Sequence, residues 1–329
     1  MSKPETLFRL LDAQKVYNIN GGWSLLGRSD PQQLAALDGV TLTVERGDSL
    51  AIVGESGSGK STLLRVLLGL TSTSEGRALY RSQEIDSLTG DPRRLFQREV
   101  AMIYQDARGS LNPRMRVTDL IAEPLRHHQL CSEAKVPGRI TALLERVGLP
   151  ADIAERYPSQ LSGGQVRRIA IARALAAEPL VIVADEAASG LDVSTQAQLL
   201  NLLRDLQRDM GLTLVFITHD LSVASYLCSR IAVMYLGRIV ETGATKSVLK
   251  APAHPYTRAL LNASPRFFEP IAETLAGEIP SPINLPPGCR FAGRCPDAQA
   301  ACRQTDPILA EADGGQKAAC LYPLTPGSV

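Results

Sequence analysis

Gly54-Glu55-Ser56-Gly57-Ser58-Gly59-Lys60-Ser61 sets glycines, a lysine and a hydroxyl at the spacing G-x-x-x-x-G-K-[ST]. Glycines at these positions let backbone N–H groups close around phosphate oxygens at a helix N-terminus, where the helix dipole also favours negative charge. Lys60 is expected to reach the β- and γ-phosphates of a nucleotide, Ser61 to place its hydroxyl on Mg²⁺, and Thr62 to continue the start of the helix. A glycine-rich turn with no ligand is the plain alternative. Further along, Leu180-Val181-Ile182-Val183-Ala184-Asp185 is an apolar run that ends in a carboxylate. A buried strand of this kind puts the acid at the C-terminal sheet edge, where a Mg²⁺-side carboxylate must sit. Glu186 then points to the other side of the pleat, placed to polarise an attacking water. Taken alone, an Asp-Glu pair after a strand is more often a helix N-cap, so its weight comes from the ordered company of the other motifs.

These residues need elements to hold them. Ser49 to Val53 reads as a strand ending at the glycine loop, and Lys60 to Leu70 as a helix with no Gly or Pro before Gly69. Val100 to Ile103, Val181 to Ala184 and Thr213 to Thr218 (TLVFIT) are short apolar runs compatible with buried parallel strands. Between Pro113 and Pro158 the pattern turns helical, in two segments punctuated by Pro124, Pro137, Gly148 and Pro150, as an insertion into the sheet domain would be. Residues 21–31 look like a loop. After residue 250 the texture changes, since twelve of the 21 prolines and four of the six cysteines fall there, which marks a domain boundary.

At 329 residues the chain exceeds one core, which favours a main domain of roughly 250 residues with a smaller one appended. Apolar content of 44% with 21% charged residues excludes disorder, and a net charge of +1 implies no general attraction to nucleic acid or anionic lipid. No window approaches the roughly 18 apolar residues of a membrane span. The chain is expected to be cytosolic and to dock on other subunits if it serves a membrane process.

Leu161-Ser162-Gly163-Gly164-Gln165 narrows the reading. LSGGQ at this position, after the phosphate loop and before Asp185-Glu186, resembles the mark of the ATP-binding-cassette (ABC) family. The resemblance implies a phosphate-loop NTPase (RecA-like) α/β core with an inserted helical subdomain, here about residues 106–165. It implies that the LSGGQ serine and glycines meet the γ-phosphate held by an opposite subunit, so that ATP joins two such chains. Gln105 matches the family's glutamine that contacts Mg²⁺ and the attacking water, and His219 matches its switch histidine at the γ-phosphate. Ser189-Gly190-Leu191-Asp192 is similar to the loop, usually S-A-L-D, that crosses the dimer interface. Tyr17 is the candidate for the aromatic that stacks on adenine, with Trp23 as its rival. One departure stands out: the family usually has proline after Asp-Glu, whereas here Ala187-Ala188 follows, which frees the backbone that carries Glu186.

The C-terminal region resembles one branch of the family. Ala253-His254-Pro255-Tyr256-Thr257-Arg258-Ala259-Leu260, Glu278-Ile279-Pro280-Ser281-Pro282 and Gly288-Cys289-Arg290-Phe291-Ala292-Gly293-Arg294-Cys295-Pro296 are similar to the tails of oligopeptide and dipeptide importer ATPases, as is Ser110-Leu111-Asn112-Pro113-Arg114-Met115. The F-type subunit fits best, on the loop over residues 20–34. Cys289, Cys295, Cys302 and Cys320 stand in a segment too rich in Pro and Gly to bury a core, so a cross-link through metal would compensate. Their spacing does not suit paired C-x-x-C zinc knuckles. A [4Fe–4S] cluster, which the resemblance also implies, Zn²⁺ and unliganded thiols remain the alternatives.

The division expected is an ABC nucleotide-binding domain over 1–250 and an importer-type C-terminal domain over 251–329. The function implied is an ATPase at the cytoplasmic face of the inner membrane. Its partners would be a second ABC ATPase subunit, two transmembrane permease subunits and, indirectly, an extracytoplasmic substrate-binding protein. A weakly hydrolysing regulatory partner, or an importer of a nickel chelate or glutathione, is the alternative. A nucleic-acid-directed ABC ATPase is disfavoured by the charge balance and by the absence of a long coiled-coil insertion or a second cassette.

Overall fold

The computed structural model describes residues 5–19, 23–24, 27–28, 32–263, 277, 280–283 and 285–325. The chain divides into two compact units, one built mainly of Ser87–Ile217 and the other of Thr6–Val44, Leu50–Asp86 and Thr218–Val329.

In the first unit three strands, Val100–Ile103, Val181–Asp185 and Thr213–Thr218, run parallel, with Val100 and Thr213 both level with Val181. Thr213–Thr218 is buried along its whole length and Val181–Asp185 up to its last residue. Continuous burial of a short β-branched run is what a parallel sheet requires, because both its faces are covered. The insertion forms the helices Val117–His127 and Val136–Arg146 with the short 3-10 turns Glu133–Lys135, Ala151–Glu155 and Pro158–Gln160. Pro124 does not end the first helix, as its sequence position implied, but lies inside it. Val117, Leu120, Ile121 and Leu125 form a buried face along that helix, and this burial outweighs the roughly 3 kcal/mol that an interior proline costs. Pro137 sits in the first turn of the next helix, where its missing N–H costs nothing.

The second unit pairs Ser49–Val53 in parallel with Arg230–Tyr235. Arg238–Ala244 returns antiparallel to Arg230–Tyr235 and is joined in turn by Gln316–Ala318 and Ala310–Ala312. A second, antiparallel sheet holds Gln32–Glu45, Thr6–Ile19, Glu75–Tyr80 and Gln83–Glu84 in that order. Of residues 21–31, Trp23–Ser24 and Gly27–Arg28 form a short antiparallel pair. The rest of that stretch, the Trp23 side chain, and Glu278 and Ile279 lie outside the described residues. The phosphate-loop helix is shorter than its apolar spacing implied, Lys60–Leu67. Gly69 closes it with positive φ, and the N–H groups of Gly69 and Leu70 take the carbonyls of Val66 and Arg65.

Among the described residues no helix is long and apolar enough to cross a membrane.

Candidate functional site

The phosphate loop follows a strand in which every residue from Ser49 to Val53 is buried. Gly54 has φ +153, and a Cβ there would meet the Met234 carbonyl oxygen at 2.2 Å. Gly59, at φ +102, caps the helix, and a Cβ there would lie 2.4 Å from the Ala36 carbonyl oxygen. The glycines are thus required by backbone packing as well as by phosphate access. Gly54→Ala is expected to lower the midpoint of thermal unfolding by several degrees, because the obstacle is rigid backbone and the strain is on the order of 1–3 kcal/mol. An unchanged midpoint in a thermal scan of the purified chain would contradict this geometry.

Lys60 is buried and folds back on its own loop. Its Nζ donates to the carbonyls of Gly54 and Glu55, each at 2.7 Å, and to Ser58 Oγ at 3.3 Å. The charge is therefore centred on the loop. Ser56, Gly57 and Ser61 are exposed, and the first turn of the helix carries no acidic residue that would oppose an anion. In the same unit Tyr17 lies half-buried on the Thr6–Ile19 strand, with the Lys15 ammonium 5.3 Å from its ring centroid. His219 is exposed just ahead of Asp220, whose carboxylate caps the helix Leu221–Leu227.

The other site residues belong to the first unit. Asp185 ends its strand half-buried. Glu186 follows with φ +43, a left-handed conformation uncommon for a side chain of this size. Its N–H donates to the Ile217 carbonyl at 2.9 Å, and Gln105 Nε2 donates to Glu186 Oε2 at 3.1 Å. The structure thus brings together Gln105 and Glu186, which are far apart in sequence, and stores backbone strain under the carboxylate. Ala187, which stands at the position of the expected proline, and Ala188 are buried.

LSGGQ opens a helix, Gly163–Ala176, with Leu161 buried before it. Ser162 and Gln165 cap it reciprocally: Ser162 Oγ accepts the Gln165 N–H at 3.3 Å, and Gln165 Oε1 accepts the Ser162 N–H at 3.0 Å. Ser162 and Gly163 are exposed, Gly164 half-buried. Arg167, one turn on, donates to the Ser189 carbonyl at 2.6 Å and so ties this helix to the loop that ends at Asp192. Asp192 caps the helix Val193–Met210 through the Thr195 N–H at 2.9 Å, and that bond holds its carboxyl below the usual range.

Cys289, Cys295, Cys302 and Cys320 are free thiols that line one small cavity with His254 and Phe291. Burial, reinforced by the neighbouring thiols, raises Cys289 and Cys295, and raises Cys320 to about 11. Burial thus favours the thiol over the thiolate at all three. The cavity holds about 20 Å³, space for roughly one water. Among the described residues no three His, Cys, Asp or Glu side chains are near enough to hold one metal ion. Thiolates are the soft donors that iron–sulfur clusters take, while a cavity of about 20 Å³ has no room for a cluster.

Sequence reasoning gave Glu55 no role and used Tyr256 and Arg294 only as parts of a resemblance. The structure places all three together, with Glu55 hydrogen-bonded to both of the others.

A glycine loop that opens a helix beside a parallel strand pair, together with a strand-end Asp-Glu, defines a phosphate-loop nucleotide hydrolase. Residues 37–189 match the ABC transporter family model, and residues 240–302 match that of the oligopeptide/dipeptide transporter C-terminal region. The oligopeptide transport ATP-binding protein OppF of Escherichia coli is 47% identical over 85% of this chain and 85% of its own. The dipeptide transport ATP-binding protein DppF of Haemophilus influenzae is 41% identical over 96% of each. A dimeric ATP-binding cassette solved in a post-hydrolysis state with ADP and Pi superposes with a TM-score of 0.63, at 29% identity over 73% of this chain and 99% of that one. The chain belongs to the ATP-binding-cassette family of transporter ATPases, with the C-terminal region of its oligopeptide/dipeptide branch.

Proposed function

We propose that this chain is the ATP-binding and ATP-hydrolysing subunit of a bacterial ABC importer for di- and oligopeptides, of the F-type. It pairs with a second ABC ATPase subunit beneath two transmembrane permeases at the cytoplasmic face of the inner membrane, and an extracytoplasmic binding protein supplies the cargo. ATP-dependent closure of the two ATPase subunits drives the permeases between inward and outward access. The observation that carries the reading is one chain combining the phosphate loop, LSGGQ and a C-terminal segment of the oligopeptide/dipeptide type.

In this reading the loop residues Gly54 and Ser56–Thr62 bind the ATP phosphates, with Lys60 as the cation, and Tyr17 stacks on adenine. Ser61, Asp185 and Gln105 would hold Mg²⁺, which would supply positive charge to the bound phosphates. Glu186 polarises the water, Gln105 orients it, and His219 hydrogen-bonds the γ-phosphate. Leu161–Gln165 and Asp192 serve the partner's nucleotide. The nucleotide-binding domain spans 1–250, and residues 251–329 form the C-terminal domain.

The assembled transporter in lipid discs, given peptide-loaded binding protein, is expected to hydrolyse ATP several-fold faster than without it. Stimulation by a nickel chelate or glutathione and not by peptides would overturn the cargo assignment. The buried Ala187-Ala188 pair favours a second reading, a weakly hydrolysing partner, for which ATPase activity survives loss of Glu186.

Cys289, Cys295, Cys302 and Cys320 are proposed to ligate a [4Fe–4S] cluster, which when bound supplies a structural cross-link for the loops that carry them. Protein purified without oxygen should be brown, with broad absorbance and about four irons per chain. Each single Cys→Ser change at these four positions should bleach it, and Cys131→Ser and Cys228→Ser should not. Colourless anaerobic protein with one zinc per chain would falsify the cluster and leave Zn²⁺ as the ligand.

A further inference from the structure

Glu55, the residue after the first glycine of the phosphate loop, is held at its backbone and at its carboxylate, both times by the C-terminal segment. Its N–H donates to Tyr256 Oη at 2.9 Å. Its carboxylate receives both arms of Arg294, with Nη1–Oε2 at 2.8 Å and Nη2–Oε1 at 3.1 Å. The Arg294 side chain is 6% exposed and that of Glu55 24%, so salt screens the pair less than it would a surface pair. A two-pronged guanidinium–carboxylate contact fixes angle as well as distance, which a lysine cannot do.

Arg294 is itself fixed. Its guanidinium lies over the Tyr235 ring at 5.9 Å. Tyr235, Tyr256 and Phe291 are fully buried and pack against one another, with ring centroids 4.6 and 5.4 Å from Tyr235 to Tyr256 and Phe291, and 5.4 Å between those two. Phe291 and Arg294 both lie between Cys289 and Cys295. The same stretch reaches the loop by another route. Arg290 bonds the Leu236 carbonyl and the Asp38 carboxylate, and the Gly237 N–H donates to the Ser58 carbonyl at 2.9 Å.

We infer that Arg294 is a positioning residue for nucleotide binding: it holds Glu55, and with it the phosphate-loop backbone, in the geometry that receives phosphate, and makes nucleotide affinity depend on the conformation of the Cys289–Cys295 loop. The inference rests on residues 54–62 being the ATP site. Two effects act in the same direction. A loop already ordered does not pay its ordering entropy when ATP arrives. Arg294 also neutralises a carboxylate that stands within an anion-binding loop and would otherwise repel the phosphates. Linkage then makes the coupling mutual, so whatever reshapes the cysteine loop changes nucleotide affinity, and nucleotide changes the cysteine site by the same factor.

The test is titration of the full-length chain with a fluorescent ATP analogue and Mg²⁺. Arg294→Ala is expected to weaken binding about tenfold, equivalent to about 1.4 kcal/mol. Arg294→Lys, which keeps the charge and loses the fork, should fall in between with an unchanged melting temperature. In a Glu55→Gln background Arg294→Ala should add little, because its partner charge has gone. Binding by Arg294→Ala within twofold of the unaltered chain, or a full tenfold loss in the Glu55→Gln background, would overturn the inference. Cys295→Ser should weaken binding several-fold when Arg294 is present and hardly at all in Arg294→Ala; equal losses in both overturn the coupling to the cysteine loop. Lys60→Ala is the control for the site itself. If it binds as the unaltered chain does, the ATP-site reading fails and the inference with it. If only Lys60→Ala weakens binding, the inference alone fails.

Discussion

Glu186→Gln is expected to keep ATP bound and to lose turnover by roughly 10²–10⁴-fold, the range for removing a positioned general base. The amide has the shape of the carboxylate and can still meet Gln105, which now donates to Glu186 Oε2 at 3.1 Å, but it cannot draw a proton from water. Substrate affinity should hold, since the side chain acts on the attacking water, so the loss falls on kcat and not on nucleotide retention. The ATPase dimer should then stay closed with its nucleotide trapped. The measurement is ATPase rate and retained ATP in the assembled transporter, and full activity there would show that the partner subunit supplies all the hydrolysis.

Lys60→Ala is expected to weaken nucleotide binding itself, by about ten- to a hundred-fold, as the loss of one charged hydrogen-bonding group of roughly 1.5–3 kcal/mol implies. The ammonium now bonds the carbonyls of Gly54 and Glu55. Its removal therefore takes away both a cation for the β- and γ-phosphates and a brace for the loop. Calorimetric titration with Mg²⁺–ATP gives the number, and an affinity unchanged within error would remove the basis for assigning residues 54–62 to ATP.

What was legible in the sequence was whatever is set by local pattern. Ser49–Val53 and Thr213–Thr218 stood out because buried parallel strands are continuous apolar runs bounded by polar loops, and Val100–Ile103, half-buried at Ala101 and Met102, keeps the same apolar run. The glycine loop could be placed because its function and its φ angles demand the same residues. Pro124 misled because helix propensity is local, whereas the helix that contains it is held by a buried face. The left-handed backbone of Glu186 left no local mark, since no residue type there calls for it. Arg294 was equally silent: an arginine in a tail reveals its partner only when the fold returns it to residue 55.

The pairing of Leu50 through Val53 with Arg230 through Val233 has a consequence for how the chain is made. At about 5–20 residues per second a ribosome needs roughly 10 to 40 s to add the next 180 or so residues. Through that interval the apolar Ser49–Val53 segment has emerged without its native neighbour. The sheet beyond it closes later still, when Gln316–Ala318 arrives to cover Arg238–Ala244. A nascent strand with open hydrogen-bonding edges is prone to pair with other chains. A chain that ends before Gln316 leaves one edge of Arg238–Ala244 uncovered, and such an edge is expected to favour aggregation.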